Sequence, residues 1–167
     1  MPATRAGLDR STQLVLGGLA VGTTYYVHAL NDRWVELLRA EGQSLPIGEA
    51  SRHPTIREVR SVLSSLDGLI VEEHREGAHW TAIVRAPKSG TRTRVLASGV
   101  EEDEPQPITF EGGDPELMIE ALEKLAHECG VLVLRAETSL RPLVVRAGAD
   151  LGEVLQPWRQ PPPGWSR

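Results

Sequence analysis

Cysteine is nearly missing from this chain. Cys129 stands alone among 167 residues, so no internal disulfide can form, and a reducing, cytoplasmic compartment is expected. Aromatic residues are scarce too: one Phe, two Tyr and four Trp leave Leu, Val, Ile and Ala to build the core, with Trp34 and Trp80 as its expected large anchors. Long apolar runs are lacking, and nothing approaches the ~18 to 20 residues that span a bilayer. The nearest is residues 14–21, which follow Arg5 and Arg10 in the manner of a secretory leader. Gly17 and Gly18 interrupt that run, Gly22 follows it, Asp9 dilutes the basic start, and Thr23, Thr24, Tyr25 and Tyr26 make a poor cleavage site. The run is therefore read as part of the fold, and no membrane association is expected. A basic excess is absent as well. Eighteen Lys and Arg against 23 Asp and Glu give a net charge of -5, which argues against nucleic acid, whose backbone is bound through a basic face, and suits a basic protein partner.

What is present is an ordinary globular composition, 40% apolar and 25% charged, enough to bury one core within the size that one core serves. The expected organisation is a mobile arm over residues 1–13, one domain over 14–156, and a Pro-rich tail over 157–167, where Pro161, Pro162 and Pro163 preclude regular structure.

Periodicity and punctuation fill in the domain. Thr23, Thr24, Tyr25, Tyr26 and Val27 favour a strand near 23–30. Asn31 or Asp32 then caps a short helix with Trp34, Val35, Leu37 and Leu38 on one side. Thr55 and Glu58 have capping-box spacing, ahead of Ile56, Val59, Val62, Leu63 and Leu66 at helical period. A three-stranded meander follows, with turns at Glu76-Gly77 and at Lys88-Ser89-Gly90, and then a short strand carrying Ile108 and Phe110. Asp114 caps and Pro115 opens a helix whose stripe is Leu117, Met118, Ala121, Leu122, Leu125 and Ala126, closed by Gly130. Residues 131–134 and 143–145 read as two more strands, the first covered on both faces. The expected fold class is α+β: a mainly antiparallel sheet of about five to seven strands with two or three helices packed on it.

Chemistry-bearing patterns are weak. His28, His53, His74, His79, His127 and Cys129 have no convergent ligand spacing, so no metal site is expected. Gly17, Gly18 and Gly22 lack the spacing of a phosphate cradle, no Gly-x-Ser-x-Gly elbow exists, and Cys129 reads as a small buried hydrophobe, so neither cofactor nor catalytic residues are assigned. Adjacent strand residues Glu72 and Glu73 face opposite ways and make no acid–base pair. The denser feature is the acidic run Glu101, Glu102, Asp103 and Glu104, followed by Glu111, Asp114 and Glu116. These seven carboxylates are expected to gather at one edge as a partner-binding face. Arg85, Lys88, Arg92 and Arg94 crowd the hairpin around Gly90 without interleaved aromatics, and ion pairs with the acidic loop, or plain solubility, are the expectation for them.

The stretch Pro107, Ile108, Thr109, Phe110, Glu111, Gly112, Gly113, Asp114, Pro115, then the helix over 117–127, then Cys129, Gly130, Val131, Leu132, Val133 and Leu134, resembles the later half of small α+β immunity proteins that accompany toxins in bacterial polymorphic-toxin systems. The resemblance is a strand, helix, strand cadence covering mainly residues 107–134, and no family residue is carried over. It implies a non-enzymatic inhibitor of a cognate toxin, with an acidic surface where the toxin is a nuclease. The alternatives are a small enzyme or ligand-binding domain with a pocket between sheet and helices, using His79 or His127 with a carboxylate, and an accessory subunit that dimerises through a sheet edge or the Pro-rich tail.

Overall fold

The structure, a computed structural model, describes residues 23–43, 45, 51–138 and 141–159. The expected arm over 1–13, the apolar run over 14–21 and the end of the tail lie outside the described residues. Seven strands make one antiparallel sheet: β1 Thr24–Ala29, β2 Ile70–Glu76, β3 His79–Ala86, β4 Thr91–Ala97, β5 Ile108–Glu111, β6 Leu132–Ala136 and β7 Leu143–Val145, in the order β2-β3-β4-β5-β1-β6-β7. Four helices accompany it among the described residues: α1 Asp32–Ala40, α2 Ile56–Ser65, α3 Pro115–Cys129 and α4 Leu151–Arg159. The α+β class and the antiparallel sheet are as the sequence implies, with one helix more than expected.

The order follows from where each apolar set is buried. β1 pairs with β5 on one side and β6 on the other, both antiparallel, so β5 and β6 run the same way with β1 between them. α3 makes the crossover from β5 to β6, and its Met118, Ile119, Leu122 and Leu125 join Tyr25 and Val27 of β1, Ile108 and Phe110 of β5, and Leu132 and Leu134 of β6 in one core. Period-two alternation puts Trp80, Ala82 and Val84 of β3 and Val95 and Ala97 of β4 on that same inner face. α2 and α4 flank α3 there. Thr55 and Glu58 close the capping box at the start of α2, satisfying two backbone N–H groups that would otherwise be orphaned.

α1 departs from the simple layering. Its Trp34 stacks on His28, at 4.9 Å between ring centroids, and His28 alternates out of the core, so α1 lies against the opposite face of the sheet. Its Leu38 is buried apart from the main core, as is Val133 on the outer face of β6. Two expectations are corrected here: Leu37 is 48% exposed, and Trp34 is a half-buried cap on His28, not a core anchor. The inward stripe of α1 is narrow: Leu38 is buried, Trp34 and Val35, the residues a turn before it, are half-buried, and Leu37 falls outside it.

The large anchors are Trp80, as expected, and Trp158, which falls within the segment read as a Pro-rich tail and packs it onto the domain. α4 runs through Pro157 to Arg159, so the Pro-rich segment begins later than residue 157. Pro157 forfeits one helical hydrogen bond. Trp158 supplies the compensation: it is buried, its indole donates to the carbonyl of Arg141 at 2.5 Å, and its ring lies 5.7 Å from that of Tyr25. The helix had a readable start, since Asp150 accepts from the Glu153 amide at 2.9 Å and Leu151, Val154, Leu155 and Trp158 recur at helical spacing. Among the turns, Gly113 (φ +87°) passes so close to β4 that a Cβ there would stand 2.9 Å from the carbonyl oxygen of Arg92, besides being strained.

Trp158→Ala is expected to cost about 3 to 5 kcal/mol, because it empties a large buried volume and strands the Arg141 carbonyl. Urea unfolding measures it, and a loss below about 1 kcal/mol would show that α4 is not part of the cooperative unit.

Candidate functional site: a clasped acidic loop

The loop over residues 99–107 joins β4 to β5 and is tied down from beneath. Gln106, 7% exposed, accepts at Oε1 from the Gly99 amide (2.6 Å) and donates from Nε2 to the carbonyls of Glu101 (2.8 Å) and Glu104 (3.4 Å). Its own amide donates to the Pro54 carbonyl at 3.1 Å, and the Arg57 amide donates to the Glu102 carbonyl at 3.1 Å. One buried side chain thus replaces the hydrogen bonds a sheet would have supplied, and the backbone of an acidic turn is held in one shape. A lone Gln in a polar loop carries no signal in the sequence.

Two arginines of α2 complete the hold. Arg57 donates from Nε to Asp103 at 2.7 Å and lies 3.5 Å from Glu102, while Arg60 reaches Glu102 at 2.8 Å and Glu73 of β2 at 2.5 Å. The Arg60 hydrogen bond holds the Glu102 carboxyl below its usual range, and the Arg57 hydrogen bond does the same for Asp103. All these groups are well solvated, so the pairs contribute position more than stability. Glu101 and Glu104 are exposed, with no cationic partner among the described residues.

The other expected members of the acidic face stand elsewhere. Glu111 is at the far end of β5 and on the outer face of the sheet, paired with Arg94 at 2.9 Å. Asp114 caps α3 by accepting from the Glu116 amide at 3.0 Å, and Glu116 pairs with Arg159 at 2.6 Å. The structure therefore brings Glu101, Glu102, Asp103 and Glu104 together and puts Glu111, Asp114 and Glu116 into separate local pairings. It adds instead Glu73, through the arginine that Glu73 shares with Glu102. Arg94 bridges Glu76 and Glu111, and Arg85 lies 3.8 Å from Glu72, so these two hairpin cations pair along the sheet and not with the acidic loop. Cross-strand register decides this, since Arg94 lies directly opposite Glu111.

His79, His127 and Cys129 stand apart from one another, while His53 lies within electrostatic range of His28. His79 donates from Nδ1 to the Ser98 carbonyl at 3.0 Å and lines a shallow depression on the outer sheet face with Tyr26, Thr109 and Glu111. His127 pairs with Glu123 one turn away on α3. Cys129 is buried beside the Arg52–Glu58 pair, 3.7 Å from each, and burial followed by the Glu58 charge pushes its thiol up to about 12, leaving it protonated at neutral pH. Arg52 forks onto Glu58 at 2.5 and 3.0 Å and brings that carboxyl down to about 2. The space between sheet and helices is filled by the buried apolar residues. No helix among the described residues is long and apolar enough to cross a membrane.

Comparison of the chain with protein-family models, with curated proteins and with solved structures finds no match.

Gln106→Leu is expected to cost about 1 to 3 kcal/mol, because the Glu101 carbonyl and the Gly99 amide lose their partner. Hydrogen exchange at Gly99 should rise with it, and unchanged exchange would show that Gln106 does not hold the loop.

Acid should weaken the fold in two stages. Burial, then Arg135, then His53 lower His28 to about 4 from 6.5, and its Nε2 is buried with no hydrogen-bond partner among the described residues. The folded state refuses a proton that the unfolded chain accepts, so this contribution is whole above about pH 6.5 and drains as pH falls towards 4. Glu58 has the depressed pKa of a paired carboxylate, so its contribution is lost between about 4.5 and 2. Burial lowers His53 as well, so it shares the first stage; the urea midpoint followed against pH checks both stages, and His28→Asn should shrink the first without moving the second.

Proposed function

We propose that this chain is a non-catalytic protein-binding domain of bacterial origin, an immunity-type inhibitor that neutralises a cognate toxin through the acidic loop of Glu101, Glu102, Asp103 and Glu104. The reading is supported above all by one observation: Gln106, Arg57 and Arg60 tie that loop down while Glu101 and Glu104 face solvent with no cationic partner among the described residues. A loop ordered before binding loses little entropy on docking, and unpaired carboxylates steer a basic partner and repel acidic ones. The apolar filling between sheet and helices agrees with a scaffold whose work is done on its surface. Glu111, Asp114 and Glu116 contribute at most through the long-range field in this reading, because each is engaged locally.

Binding kinetics against the protein encoded beside this chain test the proposal. Glu101→Lys with Glu104→Lys should slow association about tenfold or more at low ionic strength, leave dissociation nearly unchanged, and lose its effect as salt is added. An association rate that ignores both substitutions at low salt removes the loop from the interface.

A further inference from the structure

We propose that the free edge of β2 takes up an extended, lysine- or arginine-bearing segment of the partner protein as an added strand, selected by the acidic loop beside it. This rests on the protein-binding reading above and adds where and how the partner docks.

The backbone supplies the first reason. β2 pairs only with β3 among the described residues and is exposed along nearly its whole length. Glu76 and His79 flank a two-residue turn whose Gly77 has φ +62°, so they form the bonded pair that closes the hairpin. The Trp80 amide donates to Gly99 on the far side of β3, at 3.0 Å, and so turns away from β2. Arg75, opposite Trp80, is then in a non-bonded pair, and antiparallel alternation aims the N–H and C=O groups of Val71, Glu73 and Arg75 out over the open edge. These are the donors and acceptors a docked strand uses.

Charge supplies the second. The edge carries Glu72, Glu73 and Glu76, which pair with Arg85, Arg60 and Arg94, beside Arg75, and Arg60, by holding both Glu73 and Glu102, sets next to it the acidic loop, whose Glu101 and Glu104 have no cationic partner among the described residues. Self-pairing of two β2 strands about their centre would put Glu73 opposite Glu73, so a basic segment fits this edge better than a second copy does. The third reason is a recess. Trp80 is 4% exposed and its indole N–H has no acceptor among the described residues, yet Trp80 lines a depression of about 320 Å3 with Arg60, Glu73, His74, Arg75 and Glu102. The depression gives a side chain of the docked segment a seat beside the open edge, and the Trp80 indole, in its wall, would report the arrival.

The test uses the full chain, 15N-labelled, and a capped octapeptide alternating lysine and threonine. Saturable shifts of the Val71, Glu73 and Arg75 amides and of the Trp80 indole are expected, with binding at least about tenfold weaker for the matching glutamate–threonine peptide. Arg75→Pro removes an outward N–H that β3 does not use, a change an edge strand tolerates, and it also removes a positive charge. Loss of lysine-peptide binding in that variant would therefore be a backbone effect opposed by electrostatics. A lysine peptide N-methylated at alternate residues tests the same bonds with the protein untouched, and it should fail to bind.

Absence of saturable shifts, full binding by the N-methylated peptide, or protection of the three edge amides in the free protein, which would mean the chain's own residues already occupy the edge, each overturns strand addition. If Arg75→Pro leaves binding intact while Glu101→Lys with Glu104→Lys lowers it, strand addition falls and the acidic-loop reading stands.

Discussion

The burial of β1 between β5 and β6 is the constraint on which the rest of the molecule depends. Tyr25 and Val27 leave water only if α3 crosses over them, and α3 can cross only because β5 and β6 run in the same direction on either side of β1. Once that unit exists, the meander of β2, β3 and β4 must extend from the free side of β5, and β7 and α4 must close the side of β6. α2 then lies beside α3 on the same face. Both the acidic loop and the exposed edge strand follow from this layout: the loop is the joint where the meander meets the β5–α3–β6 unit, and β2, at one end of the sheet, has no strand on its outer side among the described residues.

The electrostatic arrangement is local. Arginines meet carboxylates across strands, as with Arg94 and Glu111, or from a helix onto a loop, as with Arg57 and Asp103. In high dielectric such pairs add little to stability. Their consequence is positional, since each one uses up a charge that a partner would otherwise meet, and the charges left over define where the surface is acidic. Glu101 and Glu104 are left over in the loop; Asp114 and Glu116 are not, because one caps a helix and the other meets Arg159. The acidic edge is consequently narrower in sequence than a run of carboxylates implies, and it reaches sideways to β2 through Arg60.

Local signals read well where the physics is local. The capping box of Thr55 and Glu58, the Asp114-Pro115 start of α3 and the alternation in β3 each depend on residues within a turn or two, and each forms as its pattern implies. α4 was readable in principle from the Asp150 cap and the spacing of Leu151, Val154, Leu155 and Trp158, but Pro157 argues against a helix until the burial of Trp158 is known. Gln106 had no signal at all, because its partners are backbone groups that only the folded loop brings within reach.

The chain's own pattern determined the kinds of element, their caps, the scarcity of aromatic core and the presence of an acidic segment, because propensity, capping and periodicity act over a few residues. Tertiary structure alone decided which carboxylates remain unpaired, which tryptophans are buried and which strand edge is open. Those outcomes turn on cross-strand register and on residues such as Arg60, Glu73 and Glu102, far apart along the chain and joined only when α2, β2 and the loop over 99–107 are packed against one another.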